Sequence, residues 1–190
     1  MTNATTWFYE TIGKNLDDGF FVEIGVMNGT TQNSTIVLEK NGWNGLLVEP
    51  IPKNIKQIKK NRTSKLIEGA VWREDGYVDI IDVGIRGHTG IKETHRAPEN
   101  AKDIIRVKSY KFNSLPVPTH IDYLQIDTEG SELEILDAID MNKFNIDYIC
   151  IEDTFGNKDG NPKYHNFMKN LGYERIFIKE QDRIYKKITP

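Results

Sequence analysis

Hydrophobic and polar positions along the chain switch repeatedly between two periods. Short, nearly unbroken apolar runs at 20–24, 46–48, 123–126 and 148–151 read as buried strands, because aromatic and β-branched residues in such brief runs suit a sheet covered on both faces. Between them the spacing predicts helices: one near 31–41 ended by Asn41-Gly42, one after Pro52, one bearing Leu133, Leu136 and Ile139 on a single face, and one near 162–171 ended by Gly172. Residues 65–71 read as a third strand, and Tyr77–Val83 alternates as an added antiparallel strand would. Residues 104–110 read as a further strand, and 173–178 with 183–188 as a closing antiparallel hairpin. Strand and helix signals alternate throughout, which predicts an α/β fold in one domain over residues 1–190. Residues 84–103, with three glycines, two histidines and a proline, are expected to form an irregular insertion and a candidate substrate lid.

The first strand runs into the most informative segment, Val22-Glu23-Ile24-Gly25-Val26-Met27-Asn28-Gly29-Thr30. Glycines in a strand-to-helix loop let the backbone approach a ligand closely, and the next strand ends in Glu49-Pro50, where a carboxylate is placed to accept from both hydroxyls of an adenosine ribose. A dinucleotide fingerprint needs a middle glycine against the pyrophosphate; here that position is Met27. An acid at the loop entrance, Glu23, instead suits the sulfonium and ammonium of S-adenosylmethionine and would repel a diphosphate. Thr30 and Thr31 open the following helix and offer hydroxyls and amides to the cofactor's carboxylate. The expected cofactor contacts in this half are therefore Glu23, Gly25, Asn28, Gly29, Thr30, Thr31, Glu49 and Pro50.

Bulk properties narrow the partners. A net charge of −3 gives no global basic field for nucleic acid or acidic membranes, so both are excluded at this stage and a small-molecule or carbohydrate acceptor is expected. No apolar run approaches eighteen residues and no secretion signal opens the chain, which predicts a cytoplasmic protein. The lone Cys150, between Ile149 and Ile151, rules out an internal disulfide and a cysteine-based zinc cluster.

The second half supplies candidate chemistry. Asp127 ends a buried strand, where side chains of open α/β sheets point into the ligand crevice, and Glu129 and Glu132 lie on the turn that follows. Asp127 and Glu129 are the candidate general bases, and Asp127 is also expected to touch the cofactor. Glu132 reads equally as an acid that complements a helix N-terminus. A magnesium variant is not favoured; its ligands would be Asp127, Asp153 and Asn157. His88 and His95 fall in the insertion, and Tyr164, His165 and Phe167 are candidates for an acceptor pocket.

Taken in order, Val22-Glu23-Ile24-Gly25, Val48-Glu49-Pro50, Glu68-Gly69-Ala70-Val71 with Asp75-Gly76, and Gln125-Ile126-Asp127-Thr128-Glu129-Gly130-Ser131-Glu132 resemble the FkbM family of S-adenosylmethionine-dependent methyltransferases over roughly residues 20–152. The resemblance implies a Rossmann-like class I fold with a mostly parallel seven-stranded sheet and helices on both faces. It also implies methyl transfer, usually to a hydroxyl of a sugar or secondary metabolite, and adds Ala70 and Val71 to the cofactor contacts. Lys111-Phe112-Asn113-Ser114-Leu115 departs from the family's pattern, so no contacts carry over there. Two other readings stay open: a nicotinamide-dependent oxidoreductase, which Met27 argues against, and a cofactor-binding module without catalysis in a biosynthetic assembly.

Overall fold

The computed structural model describes residues 3–30, 35–82, 89–94, 103–153 and 160–188. Its main sheet contains β1 (Phe20–Ile24), β2 (Asn44–Glu49), β3 (Lys65–Glu68), β8 (His120–Ile126), β9 (Asn145–Glu152), β10 (Tyr173–Lys179) and β11 (Asp182–Lys187). The spatial order is β10-β11-β9-β8-β1-β2-β3, parallel except for β11, which runs antiparallel to both of its neighbours. From β1 the chain winds outward through β2 and β3, then returns to place β8 on the other side of β1. Such a reversal opens a crevice at the carboxyl ends of the two strands, here β1 and β8.

Strand alternation sorts the core. Val22, Ile24, Leu124 and Ile126 face α4 (Glu132–Asp137) and α5 (Pro162–Asn170), packing with Leu133, Leu136, Tyr164 and Met168. Phe21, Leu47 and Tyr123 face the opposite layer, formed by α1 (Ala4–Thr11), α2 (Ile36–Lys40) and α3 (Pro52–Asn61), whose Phe8, Leu38 and Ile58 complete a second cluster. The sequence pattern gives no sign of α1, because its Thr-rich segment is a poor helix former. Asn3 caps it by accepting from Thr6 N at 2.8 Å, and Phe8 stacks on Tyr123 with ring centres 4.4 Å apart.

Two expectations are revised. The helix expected over 31–41 is described only as α2, with residues 31–34 outside the described set. The single strand expected over 65–71 divides at Gly69, whose amide donates to Glu49 O. Beyond it β4 (Ala70–Val71) leaves the main sheet and pairs with β7 (Asp103–Tyr110). A side chain at Gly69 would meet Lys108 O at 2.6 Å, so only glycine lets the two backbones close up. With β5 (Gly76–Asp82) and β6 (Thr89–Ile91), these strands form a four-stranded sheet in the order β4-β7-β5-β6. β6 lies inside the segment expected to be irregular; the rest of that segment before β7 is described only for the turn at 92–94. Val78, Ile80, Ile91 and Val107 of this sheet cluster with Ala70 of β4 and with Ile51 and Trp72.

Candidate cofactor and active site

The crevice is built by close backbone contact. Asp127 N donates to Ile24 O at 2.9 Å and Gly25 N to Val48 O at 3.0 Å, locking three strand ends together. Gly25 has φ 84°, and a Cβ there would fall 1.7 Å from Asp127 O, so no side chain fits. The loop then bends through Met27 at φ 52°, a conformation uncommon outside glycine. Glu49 holds the bend: one carboxylate oxygen accepts from Val26 N and Met27 N at 3.0 and 2.9 Å, the other from Ile51 N and Asn54 Nδ2, both at 3.0 Å. Burial raises its proton affinity, and these four donors pull in the opposite direction.

A cavity of about 360 Å³ opens here, within the range of small-molecule sites. Of the expected residues it is lined by Gly25, Asn28, Glu49, Pro50, Ala70, Val71, Asp127 and Glu129. Ile80, Thr89, Gly90 and Ile91 of the second sheet form another wall that sequence reasoning missed; the only signal was the alternation of β5. Lys53 spans from α3 to that wall, donating to Asp82 at 2.9 Å, and Thr89 Oγ1 donates to the same carboxylate.

Several expected contacts lie elsewhere. Glu23 does not line the cavity: alternation along β1 turns it to the opposite face of the sheet, where it accepts from Thr35 Oγ1 at 2.6 Å and pairs with Arg62 at 3.1 Å. Its expected role beside a cofactor cation is corrected to a buried structural pair. Gly29 turns away as well, its carbonyl accepting from Arg62, and Thr30 spends both its amide and its hydroxyl on Asn28 Oδ1. Neither lines the cavity, because the loop curls toward α3 after Asn28. Thr31, His88, His95 and Asn157 lie outside the described residues.

At the other end of the crevice three carboxylates converge. Register in the main sheet pairs Ile126 with Ile151, which sets Asp127 abreast of Glu152; Glu129, at φ 58°, bends back so that oxygens of all three lie within 4.8 Å of one another. Burial, then the charges of Glu152, Glu129 and Glu132, raise Asp127 well above the usual carboxylate range. Burial, then the charges of Glu152 and Glu132, push Glu129 up to about 8. The expected metal set is corrected, because Asp153 points away from Asp127. Its carboxylate accepts from Asn161 N at 2.5 Å and lies 3.9 Å from Arg183, consistent with a side-chain reversal one residue past Glu152. Glu132 is structural: one oxygen accepts from Thr128 N, Thr128 Oγ1 and Gly130 N at 3.0–3.1 Å, the other from Tyr164 OH at 3.0 Å. Tyr164, His165 and Phe167 do not line the cavity, and the two rings that flank His165 pack with the core.

The strand order, with antiparallel β11 between β9 and β10, and the glycine loop at the switch point define a Rossmann-like class I methyltransferase. Residues 23–175 match the FkbM methyltransferase domain, and the chain belongs to that family of S-adenosylmethionine-dependent methyltransferases. No curated protein sequence matches it. Among solved structures the chain is similar to the N-terminal domain of human METTL16 in complex with SAH, at TM-score 0.51 and 15% identity over 97% of this chain and 68% of that one. It is also similar to human methyltransferase 10 domain containing protein, at TM-score 0.50 and 14% identity over 95% of this chain and 77% of that one. These likenesses show the fold. The exclusion of nucleic acid as a partner is corrected: METTL16, whose N-terminal domain shares this fold, is also solved with its catalytic domain in complex with a MAT2A 3'UTR hairpin. Among the described residues no helix is long and apolar enough to cross a membrane.

The described cavity fits the family's cofactor. It offers a backbone cradle that a Cβ at Gly25 would fill, an apolar wall from Ile51, Ala70 and Val71, and carboxylates at both ends that suit a cationic ligand.

Proposed function

We propose that this chain transfers a methyl group from S-adenosylmethionine to a hydroxyl oxygen of a small molecule, acting as a single catalytic domain in a cytoplasmic setting. The observation that carries the reading is the convergence of Asp127 and Glu129 on the cavity that also holds the Gly25 loop and Glu49. The cofactor, when bound, supplies an electrophilic methyl on a sulfonium. Gly25, Asn28, Glu49, Pro50, Ala70 and Val71 would hold it, with Glu49 sharing its oxygens between loop amides and a ribose.

An alcohol is a weak nucleophile until its proton is removed, and a carboxylate with high proton affinity is the stronger base for that step. Asp127, abreast of Glu152 and beside Glu129, has that affinity once ionised. Holding the acceptor in line for displacement supplies much of the remaining acceleration. The wall formed by Ile80 and Ile91 excludes water from one side of the cavity.

The test is calorimetric titration with S-adenosylmethionine and NAD, then methyl incorporation against a panel of small hydroxylated molecules with an RNA hairpin as a separate arm. Binding of S-adenosylmethionine and turnover on a hydroxyl acceptor that Asp127→Asn lowers by roughly 10²–10⁴ are expected. Tight binding of NAD alone would return the oxidoreductase reading, and cofactor binding with no turnover on any acceptor would return the non-catalytic module.

A further inference from the structure

The second sheet has two faces, and only the inner one serves the cavity. Val78, Ile80 and Val107 point inward. Pairing of β5 with β7 sets Tyr77 opposite Lys108, Asp79 opposite Arg106 and Ile81 opposite Ile104, so these residues share the outer face. Tyr77 is 65% exposed and Ile104 55%. Arg106 lies over the Tyr77 ring at 5.6 Å and Lys108 over the Tyr110 ring at 4.8 Å. Arg106 and Lys108, both exposed, occupy successive outward positions of β7, in a chain whose net charge is −3.

An exposed aromatic on a strand face, with cations at alternate positions of the neighbouring strand, combines the two elements that bind unpaired nucleic acid: a ring for a base to stack on and charges for the backbone. Successive outward positions on a strand are about 6.6–6.8 Å apart, on the order of the separation between successive phosphates in an extended single strand. One side of the Tyr77 ring is covered by Arg106, which fixes its orientation; its exposure leaves the other side for a base. Two carboxylates lie near these cations, Asp79 opposite Arg106 in the β5–β7 pairing and Asp75 within reach of Lys108. A second copy of the chain is the poorer occupant, since a two-fold contact through this face would bring the Arg106 and Lys108 of each copy together. We propose that the outer face of β5 and β7 binds single-stranded nucleic acid, with a base stacked on Tyr77 and phosphates on Arg106 and Lys108. This binding does not depend on the methyl-transfer reading.

The test is fluorescence anisotropy of the full chain with a fluorescein-labelled, mixed-sequence single-stranded RNA 12-mer at low salt, without cofactor. Binding should weaken as salt rises. Tyr77→Ala should weaken it roughly five- to a hundredfold, the loss of one stacked base. Arg106→Glu with Lys108→Glu should remove it, while S-adenosylmethionine affinity, read by calorimetry, stays unchanged in both variants. Three results would overturn the proposal: no anisotropy change at any protein concentration reached; charge reversal abolishing binding while Tyr77→Ala does not change it, which would mean general polyanion attraction; or light scattering showing a dimer that Tyr77→Ala dissociates, with no RNA bound, which would assign the face to a second copy.

Discussion

Two groups of carboxylates, one around Arg62 and one at the cavity, meet opposite fates. On the α2–α3 side Glu23 and Glu39 flank Arg62, whose side chain is wholly buried and whose nitrogens lie 3.1 and 3.0 Å from the two acids. Glu39 also accepts from Thr63 and Ser64; burial opposes ionisation there, but Ser64, Thr63 and Arg62 together carry Glu39 down to about 2. On the cavity side Asp127, Glu129 and Glu152 face one another, and every influence resolved on Asp127 and Glu129 raises their proton affinity. A carboxylate supplied with donors and a cation becomes a fixed structural charge. Carboxylates gathered at a cavity keep their protons tightly, which suits proton transfer.

The largest effect expected from breaking this contrast is kinetic. Asp127→Asn should lower turnover by roughly 10²–10⁴ with little loss of stability, because the substitution removes a base and relieves charge repulsion. Steady-state methyl transfer and thermal unfolding, measured on the same sample, check both halves. Arg62→Met should do the reverse. Leaving Glu23 buried without that guanidinium should cost about 3–5 kcal/mol in urea unfolding, and adding Glu23→Gln should recover part of it.

Glu49 lies between the two cases, since it is structural by its bonds and faces the cavity. Glu49→Ala should weaken S-adenosylmethionine binding by roughly ten- to a hundredfold, and should also destabilise the fold by about 1–3 kcal/mol because the amides of Val26 and Met27 lose their acceptor. Affinity lost without any change in stability would mean that the loop holds its shape unaided.

The smallest effects are in pH dependence, and the two groups should differ in sign. Glu129 binds its proton up to about 8 in the folded chain against an ordinary value of 4.5, so its contribution to stability is complete below about 4.5 and fades as pH rises through 8. Glu39, at about 2, contributes above 4.5 and loses that contribution as pH falls through 2. Chemical denaturation across pH should show Glu129→Gln flattening the alkaline decline and Glu39→Gln removing the acid one. Catalysis runs the other way from stability at Glu129: kcat/KM should climb as pH rises toward 8, since a base must be ionised to act.

The sequence by itself determined the main sheet and the floor of the site. Gly25, Glu49 and Asp127 were legible because each ends a buried strand, and short apolar runs followed by an acid or a glycine mark those ends directly. Tertiary structure decided what those acids face. Glu23 reads like a cofactor ligand until strand alternation turns it toward Arg62, which lies 39 residues away in sequence. Glu152, rather than Asp153, meets Asp127 because the register of two parallel strands fixes which of two adjacent acids points inward, and a shift of one residue exchanges the faces. The wall of Ile80 and Ile91 exists only because the chain breaks at Gly69 and starts a second sheet, a choice made by the close approach of Lys108 rather than by any local pattern. Periodicity is a local property and can be read along a chain; register and long-range charge pairing arise only when strands far apart in sequence are brought side by side.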